Sequence, residues 1–463
     1  MTTQLSHAAA RATADFDHTV ERLCGYLRHP AISCDPAHRA DIDTLAAVIA
    51  ADLTKLGLTR SRVLTLDKAL PLVAAEWTGA GPDKPTVLIY GHLDLQPVQG
   101  EPWTMPPHEP TRKGDRLYAR GAADDMGGWV SHLGAIDAWL QETGSLPCNV
   151  RLIIESEEEI GSPNLERYMD AYPDAFAADA MILTDCENPS TDLPGLTVSL
   201  RGLFELEVKC EALSADGHSG LWGNMVPDVA TALVTLLARL VDRDGRLTVA
   251  RVDVPEGRRA AAARVPISAE TIRKGAHLLP GVEPLPERGT SAGEWLWLQP
   301  AVTIVCTTLP TRERKKNALR SSASATLSLR LGPGQRAEDV KAAVTALLTS
   351  DVPQGVKVSV TQEKPAGEGW YYEPKGPAFE AADRAYLASW GAKMVRVGVG
   401  GSIPFVALFG ERFGDLPLIL NGVMDPESTA HGPDESMHLG VFQKAILANV
   451  HLLWELAQPG ILR

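Results

Sequence analysis

The stretch Thr86 to Gln96, reading TVLIYGHLDLQ, constrains this chain more than any other. Val87 to Gly91 suit a buried strand, and the run ends in His92-Leu93-Asp94. Open α/β sheets place their chemistry beyond the carboxyl ends of their strands. At spacing two on an extended chain, His92 and Asp94 point to the same side. That arrangement suits a metal-bound imidazole with a carboxylate beside it to steer the ring. The rest of the chain is then expected to supply further ligands, a base and a cover.

A chain of 463 residues is too long for one ordinary core, so two domains are expected. A formal charge of −14, with no basic block, disfavours nucleic acid and anionic membrane as partners. No apolar run reaches the length needed to span a bilayer. The first 23 residues are polar, carry acids and lack the apolar segment of a secretory signal. The six cysteines (Cys24, Cys34, Cys148, Cys186, Cys210 and Cys306) are scattered with no CxxC pair, which reads as free thiols in a reducing cytoplasm.

Periodicity predicts helices over His18–Leu27 and Ala37–Leu56, strands over Ser61–Leu66 and Leu72–Trp77, and then the strand that ends at His92. After Arg120-Gly121-Ala122-Ala123-Asp124-Asp125-Met126-Gly127-Gly128 comes a helix with Val130, Leu133, Ile136 and Leu140 on one face. Val150–Ile154 is a strand running into Glu155-Ser156-Glu157-Glu158-Glu159. A helix begins at Leu165–Tyr168, and Ala180–Thr184 is a strand ending at Asp185. Strands alternating with helices indicate a mostly parallel sheet covered on both faces. The pattern then changes. Strand Thr197–Glu211, helix Pro227–Val241, strands Val302–Cys306 and Ala323–Leu331, helix Ala337–Leu348 and strand Val356–Gln362 form a β-α-β-β-α-β ferredoxin-like unit. Arg251–Pro300 reads as an irregular loop inside it. α/β character returns with helix Ala378–Trp390, loop Gly398–Pro404, strand Leu416–Leu420 and helix Gly440–Leu456. The expected division is residues 1–198 and 365–463 for the large α/β domain and 199–364 for an inserted α+β domain.

Five stretches place an acid or histidine just past a strand or in a Gly/Pro loop: His92, Asp124, the Glu158-Glu159 pair, Asp185 and His431. Nitrogen and oxygen donors without thiolate fit zinc, cobalt or manganese. Two histidines and three carboxylates exceed one open catalytic zinc, but suffice for two metals sharing a carboxylate. Each piece has a plainer reading. A histidine after a strand can be a hydrogen-bonded structural residue. Asp-Asp before Gly-Gly can be a helix cap. Glu157–Glu159 can be a solvated loop.

The motifs GHLDLQP (91–97), RGAADDMGG (120–128), EEEIGSPNL (157–165), LTDCE (183–187), GHSGLWG (217–223), LRLGPGQ (329–335), GGSIP (400–404) and AHGPDE (430–435) run through nearly the whole chain. In kind and order they resemble those of the dinuclear-zinc M20 metallopeptidases, nearest the carnosinase-like and PepV-like dipeptidases. The resemblance implies a zinc-peptidase catalytic domain with an inserted lid and dimerisation domain. His92 and Asp185 would hold one Zn2+, Glu159 and His431 the other, and Asp124 would bridge them, with Mn2+ or Co2+ as possible replacements. The Asp124-Asp125 peptide would be cis. Asp94 would orient His92, and Glu435 would support the ligands from behind. Glu158 would be the general base, taking a proton from the water between the metals and passing it to the leaving amine. Glu157 is the second candidate for that base. In the inserted domain, His218 would polarise the substrate carbonyl across a homodimer. Arg330 would clamp a substrate carboxylate, with the backbone and hydroxyl of Gly401 and Ser402 aiding it. His218 as a turn residue and Arg330 as an exposed strand residue are the bland alternatives.

Three positions depart from the resemblance: Met126 in place of a usual Lys, Val399 in place of a frequent Glu, and Arg320 within a stretch that usually reads Asn-x-Ile-Pro. None is a proposed ligand, so they bear on the substrate pocket. The expected activity is hydrolysis of the peptide bond in dipeptides or other small peptides. An N-acyl amino acid deacylase or carbamoylase would use the same metals with a different pocket. A binding module without chemistry would not need Glu158. A phosphate-ester hydrolase would need basic residues near the metals, and the motifs contain few.

Overall fold

The structure is a computed structural model that describes residues 3–362, 366–400, 408–409, 412–414 and 416–462. Gly401 and Ser402 lie outside the described residues. The central sheet has six strands in the order Thr59–Leu64, Leu72–Trp77, Asn149–Glu155, Thr86–His92, Ala180–Leu183, Leu418–Leu420. The last four run parallel, and the first two are joined on antiparallel. Alternation along Thr86–His92 divides the two faces. Val87 and Ile89 enter the core cluster under the long helices, whereas Leu88 and Tyr90 enter the cluster on the opposite face.

Helix Met126–Thr143 crosses the first face and is buried nearly all round. Thr3–Ala14, Phe16–Leu27 and Leu439–Leu456 pack against it, and Pro377–Trp390 packs on the last of these. Its close approach to the sheet depends on missing side chains. A Cβ on Gly128 would stand 2.1 Å from Asp125 Oδ1 and 2.5 Å from the Thr184 carbonyl, and one on Gly91 would stand 2.7 Å from Trp129. The N-terminus of this helix therefore lies directly over the carboxyl ends of Thr86–His92 and Ala180–Leu183.

The inserted unit has its own core, drawn from residues between Phe204 and Val356. Its antiparallel sheet runs Ala301–Thr307, Ser322–Leu331, Gly202–Glu211, Lys357–Gln362, with helices Val229–Arg239 and Ala337–Thr349 packed together beside it. This is the ferredoxin-like order anticipated from the pattern.

Two expectations need correction. The stretch 197–211 is two strands, not one. Gly195–Leu200 pairs with Trp370–Tyr371 and Val395–Val399, and Gly202–Glu211 belongs to the inserted sheet. The chain passes between sheets at Arg201, and alternation continues through the break because both strands are extended. The stretch 251–300 is not without regular structure. It folds into three short helices, Glu256–Ala263, Ala269–Gly275 and Ala292–Trp297. Prolines and glycines between them hid the helical period over such short lengths. Helix Thr3–Ala14 and strand Val395–Val399 were not anticipated.

Candidate metal centre

The carboxyl ends of the parallel strands supply the centre. His92 ends its strand opposite Glu155, and Asp185 follows the adjacent strand by two residues. Asp124 comes from the loop that leads into helix Met126–Thr143, and Glu159 from the 3-10 turn Glu158–Ile160. His431 comes from a loop near the C-terminus, in left-handed conformation at φ 63°. Donor atoms of His92, Asp124 and Asp185 lie within 4.8 Å of one another, as do those of Asp124, Glu159 and His431. Asp124 is common to both triads. Its Oδ1 is 3.2 Å from His92 Nε2, and its Oδ2 is 3.0 Å from His431 Nε2. His431 Nε2 is also 3.2 Å from Glu159 Oε2, and His92 Nε2 is 4.0 Å from Asp185 Oδ2. All five anticipated donors therefore converge, one carboxylate facing two histidines from its two oxygens.

Electrostatics test whether cations fit there. Burial and the Asp124 charge push the Asp185 acid up to about 8. Hydrogen bonds to Asp124 and Glu159 raise the His431 imidazole to about 11. Burial alone would lower His92, but hydrogen bonds to Asp124 and Asp94 carry it well above its usual range. Acids this close retain charge only where positive charge compensates, and the upward shifts of both histidines show that the cluster favours protons on them in that role. Two divalent cations would replace those protons, and the all-nitrogen-and-oxygen donor set suits zinc, manganese or cobalt.

A second layer fixes the donors. Asp94 is fully buried, and its carboxylate accepts the backbone N–H groups of Glu158 at 3.2 Å and Glu159 at 3.1 Å. Its carbonyl, at 3.1 Å, lies nearer His92 Nδ1 than its carboxylate does, at 3.5 Å. Asp94 thus orients the imidazole mainly through its backbone and uses its acid to hold the Glu158-Glu159 turn. Glu435 is buried and accepts N–H groups from Gly121, Ala123 and Asp124 at 3.0–3.1 Å while pairing with Arg120 at 3.0 Å. It holds the loop that presents Asp124. The Asp124-Asp125 peptide is cis. Asp125 accepts the Thr184 hydroxyl at 2.8 Å, and burial with the Asp185 charge raises its acid well above the usual range.

Two neighbouring glutamates separate clearly. Glu157 accepts from Asn164 Nδ2 at 2.9 Å and from the Leu70 N–H at 2.9 Å, so it is engaged in holding loops together. The Glu158 side chain makes no hydrogen bond among the described residues and stands beside the triads. Burial, then the charges of Asp185, Glu159 and Asp124, raise its acid well above the usual range, against the pull of His92. A carboxyl so placed can take up and release a proton.

The residues of the inserted unit are placed differently. His218 is exposed and pairs with Ala318 through its backbone, and among the described residues its side chain hydrogen-bonds only inside its own turn, where Nδ1 accepts the Gly220 N–H at 3.1 Å. Arg330 lies on Ser322–Leu331, half-buried, with no ion pair or hydrogen bond among the described residues. Burial lowers its pKa. The departures are structural. Met126 is buried at the helix start, Arg320 pairs with Asp216 at 3.1 Å, and the Val399 carbonyl accepts the Arg201 N–H.

Sequence reasoning missed three supporting residues. Gln96 Nε2 donates to Glu159 Oε2 at 2.7 Å, and its place two residues beyond Asp94 was the available signal. Arg201, at the break between sheets, donates to the Gly400 carbonyl at 3.1 Å. Burial and the nearby Arg330 lower it to about 10. Glu187, two residues past Asp185, stands on the cleft wall with no cation paired to it among the described residues. Nothing in the local pattern marks Arg201 or Glu187, because neither is paired by its neighbours in sequence.

The pattern of Peptidase family M20/M25/M40 matches residues 88–455. A cysteinylglycine-S-conjugate dipeptidase of Corynebacterium striatum is 31% identical over 458 residues, covering 97% of this chain and 99% of the relative. The crystal structure of human carnosine dipeptidase 1 superposes with a TM-score of 0.82 at 25% identity, covering 99% of each chain. The yeast dipeptidase Dug1p superposes with a TM-score of 0.81 at 22% identity over 99% of this chain and 100% of that one, a likeness of fold. With its motifs in order, its donors converged and its fold shared end to end, the chain belongs to peptidase family M20/M25/M40.

Proposed function

We propose that this protein is a dizinc dipeptidase. The observation that carries the reading is the sharing of Asp124 between two donor triads, with Glu158 free of both. His92, Asp124 and Asp185 would hold one metal ion, and Asp124, Glu159 and His431 the other, with manganese or cobalt able to replace zinc. When bound, the ions polarise the scissile carbonyl and make water acidic enough to attack at neutral pH. The chain's own groups do the rest. Glu158 accepts the proton of the attacking water and delivers it to the departing amine nitrogen, while Asp94 keeps the Glu158 backbone in place. Arg330 supplies guanidinium charge that no carboxylate among the described residues neutralises, which suits the terminal carboxylate of a short peptide. Gly401 and Ser402 are assigned to the same subsite.

His218 is assigned to the active site of a second copy, where it would stabilise the charge developing on the carbonyl oxygen. A homodimer through the inserted domain, residues 199–364, would bring it there, leaving 1–198 and 365–463 as the catalytic domain. Support comes from the edge strand Ala301–Thr307, whose Ile304 and Val305 are about half exposed, and from the exposed Leu221, Trp222 and Met225 next to His218. Cytoplasmic residence is supported by six unpaired cysteines, and no helix among the described residues is long and apolar enough to cross a membrane.

The test is turnover of a dipeptide panel beside N-acetyl amino acids, using stripped protein resupplied with zinc, manganese or cobalt. Release of amino acids from dipeptides is expected. Cleavage of only the N-acyl compounds would replace this reading with that of a deacylase.

A further inference from the structure

The short helices of the 251–300 segment build a wall of the cleft that neither motif nor metal accounts for. One cavity, of about 290 Å3, is lined by Glu187 and Asn188 beside the metal donors, and by Ile267, Ile272 and Leu296. A second, of about 530 Å3, shares those three apolar residues and continues to Trp295, ending at Arg201. The two volumes therefore adjoin across an apolar ridge, and the larger one is in the range that encloses a small-molecule group. Leu296 and Leu285, which both line it, are 41% and 59% exposed. Trp295 is held open rather than folded inward: its Nε1 donates to the Glu287 carbonyl at 2.9 Å, and the Arg246 guanidinium stacks on its face at 3.8 Å. At the near end, the Glu187 carboxylate is paired with no cation among the described residues.

We propose that this wall is the subsite for the substrate's N-terminal residue, with Glu187 receiving its ammonium and the Ile267–Ile272–Leu296–Trp295 cavity receiving a large apolar side chain. This rests on the dipeptidase reading above. The order along the cleft supports it. Glu187 lies two residues beyond Asp185 and near enough to Asp124 to feel its charge, so the α-amine next to a carbonyl held at the donors would meet it. The side chain of the same residue then meets the apolar ridge. The class of substrate is a dipeptide whose first residue carries a bulky uncharged side chain, aliphatic or aromatic.

Three measurements on the zinc-loaded full chain test it. The first compares kcat/KM for Ala-Gly, Leu-Gly and Phe-Gly with the reversed Gly-Ala, Gly-Leu and Gly-Phe series. The bulky first residue should be preferred by roughly tenfold or more, the discrimination a well-fitted apolar pocket provides, and bulk in the second residue should bring no comparable gain. A preference confined to the Gly-X series would overturn the assignment. In the second, Leu296→Asp should cut the bulky-to-small ratio about tenfold, mainly through KM. An equal loss on both substrates, or no change in the ratio, counts against the cavity. Glu187→Gln should weaken dipeptides with a free amine more than their N-acetyl forms at unchanged metal content. The third is calorimetric binding of the reduced-amide analogues of Leu-Gly and Ala-Gly, which needs no turnover. Equal affinities for the two would reject the subsite even if no dipeptide were cleaved, whereas tighter binding of the bulky analogue without cleavage would instead reject the dipeptidase reading.

Discussion

Replacing Glu158 by Gln should separate chemistry from metal binding, and replacing Glu159 should not. Glu158 belongs to neither donor triad, and its side chain makes no hydrogen bond among the described residues. Its backbone N–H is held by Asp94 at 3.2 Å regardless of the side chain. Glutamine keeps the shape and removes only the capacity to take a proton. Turnover of a dipeptide should fall by about 10²–10⁴, the usual loss with a general base, equivalent to about 2.7–5.4 kcal/mol on the barrier. Glu159 is a donor, tied to His431 at 3.2 Å and to Gln96 at 2.7 Å. Glu159→Gln should drop metal content from near two ions per chain to near one. A site held at about a thousand times its dissociation constant contributes about 4 kcal/mol to stability. Unfolding entropy of about 2.1 cal/mol/K per residue over 463 residues amounts to about 1 kcal/mol/K, so losing that site should lower Tm by about 4 °C. Elemental analysis, calorimetric melting and initial rates on the same samples decide it. If Glu158→Gln loses metal and Tm while Glu159→Gln keeps both, the two roles are exchanged.

Chelation of the native protein should abolish activity together with about two transition-metal ions per chain, and His92→Ala should lower occupancy as well as rate. Elemental analysis finding no stoichiometric metal in active protein would end the metal reading. Mixing a Glu158→Gln chain with a His218→Ala chain should restore activity as subunits exchange, since one site of the mixed dimer then carries neither lesion. No recovery, with exchange shown independently, would place His218 within its own chain's chemistry or outside it altogether. His132 is buried in the long central helix with Nδ1 unpartnered, and burial holds its pKa down to about 3. The unfolded imidazole takes a proton near pH 6.5 and the folded one does not, so stability is lost as pH falls from about 6.5 toward 3. The loss is about 2 kcal/mol by pH 5. His132→Leu, compared with the parent by denaturant melts of metal-stripped protein, should remove that part of the acid slope. Parallel stability curves would contradict it.

Most strands of the large sheet and their order of appearance were legible from the chain because each rests on local rules, and the candidate donors stood out as acids and histidines near them, while their roles as ligands were implied by the resemblance. Strand ends are marked by where apolar runs stop, and His92, Asp185 and the Glu158-Glu159 pair sit at such stops. The ferredoxin-like unit was legible for the same reason, since its helices and strands each carry a full period. Residues that act through distant partners were not. Gln96 on Glu159 and Glu187 facing the cleft are defined by residues tens to hundreds of positions away, while Glu435, expected behind the ligands from the resemblance, shows only in the fold that it holds the Asp124 loop. Arg201 is the sharpest case. Alternation runs unbroken from Thr197 to Glu211, yet the backbone changes sheets at that residue, because which strand pairs with which is settled by competition among all available edges. The sequence alone determined which side chains could bind metal. The resemblance already set Glu158 and Glu159 apart, but only the tertiary structure gives the physical reason, because Asn164 ties down Glu157, Gln96 meets Glu159 within a candidate donor triad, and Asp94 holds the Glu158 backbone while leaving its side chain without a hydrogen bond among the described residues.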